Sequence, residues 1–275
     1  MDSAPAKKTC MICQPHGIGD ILFIQKIIRN YADFGYRVVV PIAQNLSWLR
    51  AYLAPHEDIA YPLMTMNNGA WYGDFKFASI FLGLHEASRA PADTKELSFK
   101  SPIVYNGGDP ENGFTFIALG SSYQWLNDNM MTSKYRFVGL DHSDWADHVH
   151  LKRRPHVEKE LYYDVLGLKD DSCYTLVNEM CSSKTITLDV PGNVVRLRLL
   201  DAFTLLDWLL VIEKAAQIVT VDTSLVILTE ILKQKKPLYM VSRYEPPRFD
   251  EVKDILKMDW TFVPTAAELK INPVG

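Results

Sequence analysis

The sequence predicts an α/β fold with two Rossmann-like domains that face a cleft. Its first third alternates strand, helix and strand, and its last third returns to that alternation after a less regular centre. A chain of 275 residues also has room for two domains of about 150 residues each. We place an N-terminal domain at residues 1–168 and a C-terminal domain at residues 169–275.

The composition is that of a globular protein, with 48% hydrophobic and 23% charged residues. A net charge of −4 argues against a nucleic-acid surface and against binding to anionic membranes. No apolar run approaches the roughly 20 residues of a membrane span, and residues 1–8 lack the apolar region of a signal peptide. We therefore expect a cytoplasmic protein with no membrane span and no nucleic-acid partner.

Each element of the first third has a local signal. Apolar residues predict a short strand at 9–14, and a β-branched run at 37–42 suits a parallel strand covered on both faces. Between them a helix is predicted at 20–34, with Asp20 as N-cap and Gly35 as its C-terminal stop. Its buried face should carry the apolar residues at helical spacing, which are Ile21, Ile24, Ile27, Ile28 and Tyr31. A second helix is predicted at 46–53.

The centre gives fewer signals than the two ends. It predicts a helix near 77–88, a loop at 106–113 and an amphipathic helix at 156–166. Later strands are predicted at 174–178, 185–190, 194–200, 217–221 and 237–242. Later helices are predicted at 204–216 and from Thr223 or Ser224 to residue 234.

Cys10 and Cys13 form a CxxC pair, a pattern that elsewhere binds zinc or performs redox chemistry. Here the pair falls inside a predicted strand, whereas thioredoxin-type pairs lie where a helix begins. Cys173 and Cys181 form no second CxxC, and four cysteines are too few for a disulfide scaffold in this chain. We expect buried, reduced thiols.

The first candidate site is the turn Pro15-His16-Gly17-Ile18-Gly19-Asp20 between a strand and a helix. Two glycines there let the backbone approach a ligand. Leu22 stands where a dinucleotide fingerprint has its third glycine, and no Walker Gly-Lys-Ser/Thr follows. A carboxylate at Asp20 would repel a phosphate but suits proton uptake from a hydroxyl. The alternative is that Asp20 only caps the helix.

The second candidate site is Asp222-Thr223-Ser224, where a buried strand runs into an apolar helix. Backbone N–H groups and the positive helix end make an anion site without a metal, and the two hydroxyls add donors. The alternative is an ordinary N-cap. Other candidates for holding negative charge follow predicted strands, where open α/β sheets bind ligands. These are Ser182, Ser183, Lys184 and Arg243.

A cluster of acidic and histidine residues at 141–150 is compatible with a metal site, but its spacing does not match a helical HxxxH. We favour a polar loop, in which Trp145 would be placed to stack on a sugar. The cluster consists of Asp141, His142, Asp144, Asp147, His148 and His150.

Two segments together resemble the lipopolysaccharide heptosyltransferases, a glycosyltransferase family with the GT-B architecture. Segment 15–22 is similar to the family's GxGD turn. Segment 215–225, with Lys236-Pro237 downstream, is similar to its buried strand, Asp-Ser/Thr-Gly and helix. A third segment, 156–168, is similar to the helix that closes the family's first domain.

The resemblance implies a metal-independent, inverting transferase without a cofactor. Asp20 would be the general base for a glycan or other hydroxyl acceptor, in an acceptor-side loop with His16, Gly17, Ile18 and Gly19. The C-terminal domain would bind a nucleotide-sugar with its diphosphate at Asp222–Ser224. Ser224 and Ile227 stand where the family usually has Gly and His, which alters the phosphate contact and indicates a compact, divergent member.

Two other functions remain open. One is a nucleotide-sugar epimerase or hydrolase of the same shape, for which His16 is the obvious second acid or base near Asp20. The other is a non-catalytic sugar- or nucleotide-binding module.

Overall fold

A computed structural model describes residues 8–14, 17–67, 70–73, 103–105, 114–117, 119, 129–181 and 184–274. The chain forms two compact units, Met1–His150 and Leu151–Gly275. Each unit has its own five-stranded sheet built mainly of parallel strands, so the predicted α/β class with two Rossmann-like domains is confirmed. The helix predicted near 77–88 and the loop predicted at 106–113 lie outside the described residues.

Unit 1 has a sheet whose central strand is the first strand of the chain. Its elements in chain order are β1 (Thr9–Ile12), α1 (Ile18–Phe23), α2 (Gln25–Asp33), β2 (Arg37–Val39), β3 (Ile42–Ala43), β4 (Ile59–Ala60), β5 (Leu63–Asn67), β6 (Ala70–Gly73), β7 (Ile103–Tyr105), β8 (Phe114–Ile117) and α3 (Thr132–Phe137). The sheet order is β4-β2-β1-β8-β7, and β7 runs antiparallel to β8. A separate sheet joins β3, β5 and β6. The turn after β1 therefore lies at the carboxyl edge of parallel strands, where such sheets bind ligands.

The helix predicted at 20–34 begins at Ile18 and is interrupted at Ile24, giving α1 and α2. Its predicted buried face is confirmed, because all five of the apolar residues named above are buried. The strand predicted at 37–42 is divided, since Pro41 has no N–H to donate to a ladder. As a result β2 pairs with β1 and β4, whereas β3 pairs with β5. The helix predicted at 46–53 is a 3-10 helix, Gln44–Ala51.

Unit 2 has a sheet in which every pair of neighbouring strands is parallel. Its elements are α4 (Pro155–Lys159), a π-helical segment (Glu160–Val165), β9 (Thr175–Asn178), β10 (Val194–Arg196), a 3-10 turn (Leu205–Trp208), α5 (Leu209–Lys214), β11 (Gln217–Val221), α6 (Ser224–Ile231), β12 (Leu238–Val241) and β13 (Trp260–Val263). The sheet order is β10-β9-β11-β12-β13. The carboxyl ends of β9, β11 and β12 therefore share one edge.

The strand predicted at 185–190 is wrong. Thr185 makes an isolated bridge with Met180, and the rest of the segment joins no ladder. Its apolar residues Leu188 and Val190 are nevertheless buried, in a core cluster with Val219 and Val241 of the sheet. The apolar residues that predicted a strand here are buried against the sheet, but they do not pair with it.

The domain boundary falls after His150 rather than after residue 168. Residues 151–168 pack within unit 2 because Arg153 binds Glu158 and also Glu213 of α5, the latter at 2.6 Å. Helix α4 contacts α5 as well. The predicted boundary after Leu168 lies just past Gly167, at the predicted end of a helix, and that helix belongs to the second unit.

All four cysteines lie among the described residues and none forms a disulfide bond, and Cys10 and Cys13 are buried as predicted. Burial raises the pKa of the Cys10 thiol, which keeps it protonated and unreactive. Cys173 is exposed and Cys181 is half-buried, so the expectation of burial is wrong for these two. None of the described helices has the length and apolar character needed to cross a bilayer.

Candidate functional site

The Asp20 turn, defined here as residues 17–20, begins α1 at the end of the central strand of unit 1. Gly17 is the N-cap residue with a φ of 77°, and its carbonyl oxygen accepts the Ile21 N–H at 2.9 Å. Among the described residues, which do not include 15 and 16, no side chain caps this helix. Asp20 therefore lies inside the first turn, and the prediction that it is the N-cap is wrong. The alternative that Asp20 serves only as the N-cap of this helix is therefore also wrong.

The Asp20 carboxylate lies directly over the backbone of Gly17. A Cβ atom on Gly17 would be 2.2 Å from Asp20 Oδ2, far inside contact distance. Glycine supplies both the positive φ and the missing Cβ that this approach needs. The turn is thus shaped around the carboxylate.

Lys134 of α3 is the partner of Asp20, and sequence reasoning missed it. Its Nζ lies 2.9 Å from Asp20 Oδ1 and donates to the carbonyl oxygen of Met130 at 2.8 Å. The Lys134 side chain is 2% exposed, whereas that of Asp20 is 28% exposed. A buried ammonium without a counter-charge costs several kcal/mol, so Asp20 supplies a needed charge to α3.

Helix α3 is held in place by contacts beside this ion pair. The Asn129 side-chain oxygen accepts the backbone N–H groups of Met131 and Thr132 at the start of the helix. Tyr135 donates its hydroxyl to the Phe23 carbonyl oxygen of α1 at 2.6 Å, and their rings pack edge to face. These contacts fix the backbone from which Lys134 reaches Asp20.

The Thr223 turn, defined here as residues 222–224, joins the buried strand β11 to α6. Thr223 is the N-cap, and its hydroxyl oxygen accepts the Leu225 N–H at 3.4 Å. Ser224 is the first helical residue and is half-buried. The predicted strand, turn and helix are confirmed here, and the positive end of α6 opens at the carboxyl edge of the sheet.

Asn178 at the end of β9 orients the Thr223 hydroxyl, and sequence reasoning missed it as well. Its side chain is buried and its Nδ2 donates to Thr223 Oγ1 at 2.9 Å and to Thr220 Oγ1 at 3.1 Å. Thr223 Oγ1 thus accepts two hydrogen bonds from the protein. Its own proton is then directed to a third partner, which makes the hydroxyl a donor.

Arg243 and Asp222 are brought together, as their places at two neighbouring strand ends predict. Arg243 Nε lies 3.7 Å from Asp222 Oδ2. The Arg243 guanidinium also stacks on the Tyr244 ring at 4.9 Å, and Arg248 stacks on the same ring at 4.7 Å. Arg248 also lies 3.7 Å from Glu251 Oε1, so each of the two guanidinium groups has a carboxylate partner.

Lys184 is not brought to the Thr223 turn by any hydrogen bond or ion pair among the described residues. Its side chain is exposed, and its carbonyl oxygen accepts the Cys181 N–H at 3.0 Å. Ser182 and Ser183 lie outside the described residues, as does His16 of the predicted acceptor-side loop. Ile18 and Gly19 of that loop lie in α1, where Gly19 is buried.

The cluster at 141–150 is a polar segment around a buried tryptophan. Trp145 is fully buried and its ring lies 5.1 Å from that of Phe23, so the suggestion that it stacks on a sugar is wrong. Asp144 binds Lys26 and His148, and these partners lower its pKa to about 2. Within the described residues, no group of three His, Cys, Asp or Glu side chains is arranged to hold a metal ion.

Lys236, of the pair Lys236-Pro237, binds the backbone carbonyl groups at the C-terminus of α5. Its Nζ donates to the carbonyl oxygens of Ile212 at 3.0 Å, Glu213 at 2.8 Å and Ala215 at 2.5 Å. Burial lowers the pKa of this lysine to about 8. The pair therefore has a structural role between α5 and β12, at a helix C-terminus that leaves carbonyl groups unsatisfied.

No protein-family model and no curated protein matches the chain. Among solved structures, it is similar to a glycosyl transferase family 9 protein from Veillonella parvula, with a TM-score of 0.45 at 10% identity over 92% of this chain and 86% of that one. It is similar to E. coli heptosyltransferase WaaC with ADP, with a TM-score of 0.39 at 12% identity over 95% and 93%.

A third similar structure is the iron-containing dodecameric glycosyltransferase TibC of enterotoxigenic E. coli, with a TM-score of 0.40 at 10% identity over 87% of this chain. The chain spans 60% of that protein. All three are glycosyltransferases by name, the class that segments 15–22 and 215–225 resemble. At scores below 0.5 the likeness does not decide an activity, so the function of this chain rests on the chemistry of its own two turns.

Proposed function

We propose that the chain is a glycosyltransferase that moves a sugar from a nucleotide-sugar donor to an acceptor hydroxyl. The observation that carries this proposal is the Asp20 carboxylate. It is partly exposed at the carboxyl edge of the sheet, and a buried lysine holds one of its oxygens. In this proposal Asp20 is the general base, and the Thr223 turn holds the departing nucleoside diphosphate.

The base chemistry follows from the two carboxylate oxygens. Oδ1 is engaged by Lys134, so Oδ2 takes the proton from the acceptor hydroxyl. As that O–H bond breaks, the acceptor oxygen forms a bond to the anomeric carbon. The bond from that carbon to the phosphate oxygen breaks on the opposite side, and the configuration inverts.

The leaving group gains negative charge as its bond to the sugar breaks. The Thr223 hydroxyl, the N-terminus of α6 and the Arg243 guanidinium are the groups we assign to stabilise it. Their arrangement is fixed by Asn178 and Asp222 before a ligand arrives, so little reorganisation is needed. The proposal requires neither a metal nor another cofactor.

Donor binding is tested first, by thermal unfolding of the whole chain with ADP, GDP, UDP and CDP and with their common sugar derivatives, in EDTA. A ligand that binds only the native state raises the midpoint by mass action. The change Ser224→Glu places a negative charge at the α6 start and should abolish the shift. Thr261→Glu, on the exposed face of β13, adds the same charge elsewhere and should keep the shift.

Turnover is tested next, by nucleoside diphosphate release from the nucleotide-sugar with the largest shift, with and without simple sugar alcohols as acceptors. A transferase releases product only with an acceptor, a hydrolase releases it without one, and a binding module shows neither. Asp20→Asn should lower the rate of release by about 1,000-fold, the usual contribution of a general base, and leave nucleotide binding intact. Asp33→Asn, an exposed carboxylate at the end of α2, is the matched control and should retain activity.

A further inference from the structure

We infer that Lys134 is the positioning residue that fixes the Asp20 carboxylate and assigns its two oxygens to different tasks. This inference rests on the proposed function of Asp20 as the general base. The ammonium holds Oδ1 at 2.9 Å, while Oδ2 lies over the bare α-carbon of Gly17. Oδ1 is thereby engaged by Lys134, and we assign Oδ2 to the acceptor.

The Lys134 ammonium has three protein partners. Besides Asp20, its Nζ donates to the Met130 carbonyl oxygen at 2.8 Å and lies 3.8 Å from the Met131 sulfur. A side chain that is 2% exposed has no water shell to share its protons with. Its geometry is therefore set by these three partners, and Asp20 is the one that carries a charge.

Joining two helices does not by itself need a buried cation. An apolar side chain of similar volume performs that task at no desolvation cost, and replacing a buried ion pair with apolar residues is often neutral. The hydrogen bond from Tyr135 to Phe23 already joins α3 to α1 beside this pair. What an ammonium adds is orientation of the carboxylate, because it holds one carboxylate oxygen in place and an apolar side chain cannot.

The test is a kinetic double-mutant cycle on the whole chain, with the nucleotide-sugar that gives the largest thermal shift. Lys134→Met should lower kcat by about 100-fold, the cost of a base misplaced by about 1 Å, without changing KM for the donor. In the Asp20→Asn background the same change should cause no further loss, because Lys134 acts only through Asp20. Lys26→Met removes a different lysine–aspartate pair in unit 1 and should leave kcat unchanged.

An unchanged kcat in Lys134→Met, or a full additional loss in the Asp20→Asn background, overturns the inference and leaves the proposed function standing. Absence of turnover in the unmodified chain overturns the proposed function and this inference together. If Lys134→Met does not fold, Lys134→Arg takes its place, because it keeps the charge but moves it. Its kcat should fall by about 10-fold at constant KM, and a wild-type kcat would refute the positioning role.

Discussion

Lys134 and Asp20 form an ion pair of unequal burial: Nζ lies 2.9 Å from Oδ1, with 2% of the lysine side chain exposed and 28% of the aspartate side chain. A charge left alone in the interior is much more costly than one that water can reach. The cost of breaking this pair therefore depends on which partner is removed. The same asymmetry that places Asp20 toward solvent makes Lys134 depend on it.

We predict that Asp20→Asn lowers the free energy of unfolding by about 3 kcal/mol, because it leaves the Lys134 ammonium buried without a counter-charge. Lys134→Met should cost about 1 kcal/mol or less, because the Asp20 carboxylate is partly hydrated. The double variant should be more stable than Asp20→Asn alone. Urea unfolding of the four proteins measures these values, and a larger cost for Lys134→Met would contradict the burial argument.

Gly17→Ala should displace the Asp20 carboxylate and abolish nucleoside diphosphate release. Its Cβ would lie 2.2 Å from Asp20 Oδ2, and the residue keeps a φ of 77°. Gly35→Ala is the matched control, because Gly35 has a φ of 85° but no atom within 4 Å of an added Cβ. Both variants should lose about 1 kcal/mol of stability from the positive φ. Equal activities in the two variants would show that the contact with Asp20 is unimportant.

The parts of the fold that were predictable from sequence have local signals. Segments of about ten residues are enough to predict the strand, glycine turn and helix around Asp20. The same holds for the buried strand and the N-cap around Thr223. Pro41 divides a predicted strand, and the edge strand β13, Trp260–Val263, was missed although it is as long as β9 and β12. Its place is set by its pairing with β12. Pairing partners of this kind are set by the tertiary fold.

Lys134 and Asn178, which support the candidate site, were not predicted from the sequence, and for different reasons. Lys134 is one polar residue in a short helix, and nothing local separates a buried lysine from a solvated one. Its burial depends on the packing of α3 against α1. Asn178 could have been predicted, because it ends β9 at the same edge of the sheet that predicted Arg243 as a site residue. A polar side chain at the carboxyl end of a buried strand is a signal in itself.

Asn178→Leu should weaken nucleoside diphosphate binding by about tenfold, because the Thr223 hydroxyl loses one of the two donors that orient it. The change removes three hydrogen bonds, because Asn178 Oδ1 also accepts the Met180 N–H at 3.2 Å, and it should lower the free energy of unfolding by about 2 to 3 kcal/mol. Calorimetric titration with the nucleotide identified by thermal unfolding measures the affinity.

The control for this change lies at the opposite edge of the same sheet. Gln217 donates to Thr175 Oγ1 at 2.7 Å, an amide-to-hydroxyl bond between β11 and β9 like the one that Asn178 makes. Gln217→Met should lower stability by a similar amount and leave nucleotide affinity unchanged. If both variants lose affinity equally, Asn178 acts through sheet stability alone.

Lys236→Met should destabilise unit 2, and the loss should grow at alkaline pH. The change removes the three hydrogen bonds to carbonyl oxygens at the end of α5, which we expect to cost about 2 kcal/mol.

Burial lowers the native pKa of Lys236 to about 8, from an ordinary value of 10.5. The unfolded chain therefore binds more protons than the native one between these pH values, so this group adds stability as the pH rises from about 8 to 10.5. Methionine has no such titration, and the difference in unfolding free energy between wild type and variant should widen over that range. Urea unfolding at pH 7 and pH 10 tests this, because the tyrosines and cysteines common to both proteins cancel. A difference that is constant with pH would show that the three carbonyl groups hold the native lysine charged.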